Sequence, residues 1–164
     1  MRPSDQELLA LAEELARAAM RKGWWIATAE SCTGGWIGML ITSLPGSSNW
    51  YDGGFITYSN EAKQEMLGVP AAVIETHGAV SEETAREMAK GAIAHSRADA
   101  ALSVSGIAGP AGATPGKPVG TVCMGWALRN GTVLSTTCRM GGDRQEVRAR
   151  AVAAAVRGLL ELMK

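Results

Sequence analysis

Leu8, Leu11, Leu15 and Ala19 recur every three or four residues, the spacing of one apolar helix face. Ser4 caps that helix, Glu7 completes a capping box three residues on, and Gly23 marks its end. The pattern then changes period. Trp24 to Ala29 is a short apolar run bounded by breakers, the signature of a buried strand, and Trp36, Ile37, Leu40, Ile41 and Leu44 return to helical spacing before Pro45-Gly46. Residues 47–53 read as loop and 54–58 as a second strand; Asn60 is positioned to cap a short helix to Leu67, and the segment from Pro70 to His77 is ambiguous. Ser81, followed by Glu82 and Glu83, starts a helix through Ala85, Met88, Ala89 and Ile93. A strand over 99–104 leads into the glycine- and proline-rich loop 106–118. Runs over 119–128 and 132–138 flank Asn130-Gly131, a hairpin signal, and a last helix starts near Asp143.

Strands interleaved with helices predict an α/β fold. The expectation is a three-layer α/β/α sandwich around a mixed, mostly parallel sheet of five or six strands, with residues 1–164 forming a single domain. A chain of 164 residues with 46% hydrophobic content buries enough surface to fold as one unit. Sixteen basic residues balance sixteen acidic ones, so no net field draws the chain to nucleic acid or to an anionic membrane. No apolar run is long enough to span a bilayer and no leader pattern opens the chain, which reads as cytoplasmic. Cys32, Cys123 and Cys138 are too scattered for a disulfide framework or a metal knuckle, and His77 and His95 are the only histidines; no metal or other cofactor is expected.

The candidate chemistry starts at Thr28–Gly35, TAESCTGG, where a strand gives way to a helix and where ligands gather in open α/β sheets. Ser31 and Cys32 are adjacent nucleophiles. The amides of Thr33, Gly34 and Gly35 are expected to be free at the helix start, as an oxyanion hole or phosphate cradle; alternatively Ser31 or Thr33 is simply a helix cap. A serine needs a base. Tyr58 ends the second strand and Lys63 lies one turn into the next helix, so both are able to face the same strand-end surface, with a solvated lysine as the plainer alternative. Two further segments bear on ligand binding: Ser105-Gly106-Ile107-Ala108-Gly109 after a strand, and Arg144 at a helix start, where a cation opposes the dipole unless an anion attracts it. There is no GxSxG, no SxxK after Ser31, no GxxxxGK[ST] and no GxGxxG; a tyrosine and lysine five apart without a nucleotide fingerprint argue against hydride chemistry.

Taken together and in order, AESCTGG (29–35), GGFITYSNEAK (53–63), HGAVSEETAREMA (77–89), SGIAGPAGATPGKPVGTV (105–122) and GDRQEVR (142–148) resemble the CinA C-terminal domain family over nearly the whole chain. The resemblance implies a nicotinamide mononucleotide deamidase that forms nicotinate mononucleotide and ammonia in pyridine-nucleotide recycling, without a cofactor. It carries the catalytic roles to Ser31, Tyr58 and Lys63. Thr33, Gly34, Gly35, Ser105, Gly106, Gly109 and Arg144 are the expected substrate-binding residues, and a homo-oligomer, with a dimer favoured, is the expected assembly. The competing readings are a noncatalytic nucleotide- or partner-binding module and an amidohydrolase for another amide. Ser105 stands where relatives frequently have threonine, a change that keeps the hydroxyl.

Overall fold

The computed structural model describes residues 2–164. Its elements are α1 (Asp5–Lys22), β1 (Ile26–Glu30), α2 (Trp36–Thr42), a 3-10 turn (Ser47–Asn49), β2 (Tyr51–Ile56), α3 (Asn60–Leu67), α4 (Ala71–His77), α5 (Glu82–Ala94), β3 (Ala100–Gly106), β4 (Thr121–Leu128), β5 (Val133–Arg139) and α6 (Arg144–Leu162). The five strands form one sheet in the order β2-β1-β3-β4-β5. β1 pairs in parallel with both β2 and β3, and β4 is antiparallel to β3 and to β5, so four strands run one way and β4 runs against them. This is the expected three-layer mixed sandwich.

Helices α1, α2 and α6 cover one face, where Leu8, Leu15, Ile37, Ile41, Val152 and Leu159 join Ile26, Leu102 and Met124 of the sheet. The other face is smaller: Leu67, Ile74, Met88 and Ala92 of α3 to α5 pack on Ala27, Ala29 and Ala101. Small residues along β1 and β3 let these helices approach closely. Gly158 does the same for α6, because a Cβ there would lie 2.0 Å from the Trp126 ring.

Several boundaries differ from the sequence reading. β2 starts at Tyr51, so Tyr51, Asp52 and Gly53, which read as loop, belong to the strand, and it ends at Ile56 instead of Tyr58. At Gly54 a Cβ would sit 2.5 Å from both Thr28 Oγ1 and Tyr51 Oη, which are hydrogen-bonded at 2.7 Å, so glycine is needed there for close approach. α3 is capped by Ser59 instead of Asn60, and the ambiguous segment after Pro70 is the helix α4. The capping boxes of α1 and α6 form at Ser4/Glu7 and Asp143/Glu146.

From β1 the chain moves to β2 on one side and returns through α3 to α5 to β3 on the other. The carboxyl ends of β1 and β3 therefore flank a topological switch point, where open α/β sheets bind ligands. Ser31 follows β1 directly, and its N–H donates to Val104 O of β3 at 3.0 Å.

Candidate active site

At the switch point a cavity of about 260 Å³ is lined by Ser31 and Cys32 after β1, Tyr58 after β2, Lys63 of α3, Ala79 and Val80, Ser105 to Gly109 after β3, Ala111, Gly112 and Arg144 of α6. Five segments distant in sequence converge there, each delivered by a strand end or a helix start.

Lys63 is the largest fully buried side chain, 1% exposed. The solvated alternative is thus excluded. Its Nζ lies 2.9 Å from Ser31 Oγ, 2.7 Å from Thr57 O and 3.1 Å from Tyr58 O. No carboxylate is among these partners, so burial pushes the amine down from 10.5 to about 8. A neutral amine has two N–H groups and one lone pair. The two carbonyls match the N–H groups, and the lone pair then faces the Ser31 hydroxyl. Beside them lies Thr57 Oγ1, a buried hydroxyl without a partner among the described residues.

Cys32, the rival nucleophile, is also buried, and burial pushes its thiol up to about 11. A thiol so protonated is a poor nucleophile near neutrality. Gly106 closes over it, since a Cβ at that glycine would stand 3.2 Å from the sulfur.

Tyr58 projects differently from the expectation. Its side chain is 65% exposed and its hydroxyl accepts from Arg144 at 3.4 Å, while its main-chain carbonyl accepts from Lys63. Arg144 also donates to Gly109 O at 2.8 Å, so these two side chains and the loop after β3 form the cavity mouth. Ser105 lies on the wall, where its hydroxyl donates to Ala79 O at 2.8 Å. Gly106 and Gly109 line the same wall.

Thr33, Gly34 and Gly35 stand apart from the other expected binding residues. They line a different groove, behind the Ser31 turn, together with Trp36 and Arg148. The start of α2 is already occupied: the Glu30 carboxylate, 2% exposed, accepts from Thr33 Oγ1 at 2.6 Å, Ile37 N at 2.9 Å and Gly38 N at 3.0 Å. The Gly34 N–H is committed to Ser31 O at 3.0 Å. The anion attracted to this helix start is the protein's own side chain. Neither Ser31 nor Thr33 acts as the helix cap, a position held by Gly35 without a side-chain bond.

Glu30 and Arg148 are the residues that sequence reasoning missed. Arg148 donates to Cys32 O at 3.0 Å and Thr33 O at 3.2 Å, pinning the turn from α6. The only sequence signal for it was its place one helical turn after Arg144. His77 and His95 lie outside the cavity lining, His77 near Glu83 at 3.8 Å and His95 against Gly91 O at 2.9 Å. Among the described residues no group of three or more His, Cys, Asp or Glu is placed to hold a metal ion, and no helix is long and apolar enough to cross a membrane.

Residues 8–163 match the CinA C-terminal domain family. The chain is 51% identical over 148 residues to the nicotinamide-nucleotide amidohydrolase PncC of Enterobacter agglomerans, covering 90% of each chain. It is 47% identical over 156 residues to PncC of Escherichia coli K12, covering 95% of this chain and 94% of that one. The structure superimposes on the competence/damage inducible protein CihA of Agrobacterium tumefaciens with a TM-score of 0.94 at 43% identity, over 100% of this chain and 99% of that one. With this match and coverage the chain belongs to the CinA C-terminal domain family.

Proposed function

We propose that this protein hydrolyses the carboxamide of nicotinamide mononucleotide to nicotinate mononucleotide and ammonia, in pyridine-nucleotide recycling. The observation that carries the reading is the buried Lys63 amine, 2.9 Å from Ser31 Oγ on the cavity wall. The names of the two PncC relatives supply the substrate class.

Neutral Lys63 takes the proton as Ser31 Oγ bonds to the carboxamide carbon. The tetrahedral intermediate collapses, the C–N bond breaks, and the departing nitrogen takes the proton from Lys63 and leaves as ammonia. Water then attacks the ester carbonyl as Lys63 accepts its proton, and Lys63 returns that proton to Ser31 Oγ as the ester C–O bond breaks, freeing nicotinate mononucleotide. Lys63 contacts Ser31 directly and the Tyr58 hydroxyl is engaged by Arg144, which favours the direct proton route. Tyr58 is assigned to the substrate at the mouth. For the oxyanion we assign the backbone amides of Cys32 and Ala108, two cavity-lining residues whose N–H groups have no acceptor among the described residues. Ser105, Gly106 and Gly109 shape the wall against which the pyridine ring lies, and Arg144 meets the phosphate. The scheme uses no cofactor.

A cytoplasmic homodimer completes the proposal. Exposed Met39 of α2 and Ile56 of the edge strand β2, at 65% and 53%, are the apolar surface it would cover, and light scattering reads the mass directly.

The test is to incubate the purified protein with nicotinamide mononucleotide, nicotinamide and an unrelated primary amide, and to follow ammonia. Release from the mononucleotide alone is expected. No release from any of them favours the noncatalytic module, and release only from another amide replaces the substrate.

A further inference from the structure

We propose that Arg148, outside the cavity, is a positioning residue that holds the nucleophile turn in its reactive geometry. The proposal rests on Ser31 being the nucleophile.

Ser31 sits at the start of a tight turn. The Cys32–Thr33 and Thr33–Gly34 peptides within that turn are fixed from the far side of the chain: Arg148 Nε donates to Cys32 O at 3.0 Å and its Nη2 to Thr33 O at 3.2 Å. A planar guanidinium that holds two successive carbonyls fixes the planes of both following peptides, because each peptide is rigid. The peptide between Ser31 and Cys32 is tied to them because the Gly34 N–H donates to Ser31 O at 3.0 Å, so the closed turn carries the orientation of the Cys32 amide and of the Ser31 Cβ. The guanidinium is itself immobilised, with its Nη1 donating to Gln145 Oε1 at 3.0 Å and its carbon 5.5 Å from the centre of the Trp36 ring. Gly34 passes beneath it; a Cβ on that glycine would lie 3.6 Å from Nη2, at a φ of +60° that other residues rarely adopt.

Arg144, one turn earlier on α6, reaches the mouth at Gly109 O and Tyr58 Oη. The first two turns of α6 thus brace both walls of the cavity, but only Arg144 borders its interior. The two arginines therefore separate kinetically. Loss of Arg144 weakens substrate binding, and loss of Arg148 lowers kcat with little change in KM.

Arg148 also lines the open groove of about 770 Å³ behind the turn, so small cations in solution reach the place it would vacate. This permits chemical rescue of Arg148→Ala by guanidinium, with methylammonium at the same concentration as the control for charge alone. We expect kcat to fall by roughly 100-fold with KM held within about twofold, the cost of a misplaced reacting group. Added guanidinium should recover at least about tenfold of the loss, and methylammonium should recover none, because only the planar fork spans two carbonyls. The rate at which a fluorophosphonate labels Ser31, read by mass spectrometry, should fall and recover in parallel.

A folded Arg148→Ala protein with wild-type kcat and labelling rate overturns the inference. So does a loss that guanidinium and methylammonium repair equally or not at all. Should the alanine variant fail to fold, Arg148→Lys carries the test: it should fold with reduced kcat and unchanged KM, and wild-type kcat would refute the role. Wild-type inactivity on the mononucleotide defeats the substrate assignment alone, since the labelling ratio still tests Arg148. A Ser31 inert to both substrate and probe overturns both.

Discussion

Lys63 makes the pH dependence of turnover a direct probe of the mechanism. Burial lowers its amine from 10.5 to about 8, with no carboxylate beside it to restore the charge. The base is the neutral form, so kcat/KM for the mononucleotide must rise with pH as Lys63 loses its proton. At pH 7 about one-tenth of an amine titrating near 8 is neutral, against roughly one in 3,000 for an ordinary lysine. Burial therefore supplies about 300-fold more base at neutrality, on the order of 3 kcal/mol of protonation free energy. Initial rates of ammonia release at subsaturating substrate, from pH 6 to 10, should climb about tenfold per unit below pH 7.5 and level off above about 8.5. Tyr58→Phe should keep the same limb, because its hydroxyl is not the proton carrier. A flat profile from pH 6 to 8.5, or a rate that falls across this range, refutes the assignment of Lys63 as base. Folding stability carries the same sign. The native amine is deprotonated between about 8 and 10.5 while the unfolded one still binds its proton, so the Lys63 contribution to stability grows as pH rises through that window and is lost below it.

Three other outcomes follow from the same geometry. Glu30→Gln exchanges one acceptor oxygen of the α2 start for an amide that cannot accept, and should cost about 1–3 kcal/mol in denaturant unfolding and slow turnover by loosening the Ser31 turn. Thr57→Val removes the unpartnered buried hydroxyl at nearly constant volume and should raise stability by up to about 1 kcal/mol with activity kept; a destabilised variant would show that the hydroxyl has a partner in solution. Arg144→Ala should raise KM for the mononucleotide about tenfold or more and leave KM for a substrate lacking the phosphate unchanged; an unaltered KM removes Arg144 from the phosphate site.

The elements with strong period and local caps were legible in the sequence. The α1 capping box, the α6 start near Asp143, the Asn130-Gly131 hairpin and the strand-to-helix change at Ser31 all rest on contacts a few residues apart. Tyr51 to Gly53 misled because an Asp-Gly pair reads as a break, whereas the strand starts at Tyr51 and glycine at 54 admits the Thr28 and Tyr51 hydroxyls. Glu30 could not be read at all. Its partners at Ile37 and Gly38 are seven and eight residues ahead, beyond the three-residue reach of an ordinary cap, and only the folded turn brings them together. That carboxylate takes the amides of Ile37 and Gly38 and the Thr33 hydroxyl, while the Gly34 amide closes the turn on Ser31 O. For Tyr58 and Lys63 the shared location was foreseeable, but side-chain direction was not. Lys63 folds inward to Ser31, and Tyr58 contributes its carbonyl there while its ring turns out to the mouth.

Ser31 and Cys32 stand side by side, and the central claim is that only the hydroxyl attacks. Ammonia release by Ser31→Ala and Cys32→Ala, measured on the same substrate with the fold of each checked, decides it. The account predicts that Ser31→Ala loses at least about 1,000-fold in kcat while Cys32→Ala stays within about threefold of wild type. A dead, folded Cys32→Ala beside an active Ser31→Ala would contradict it.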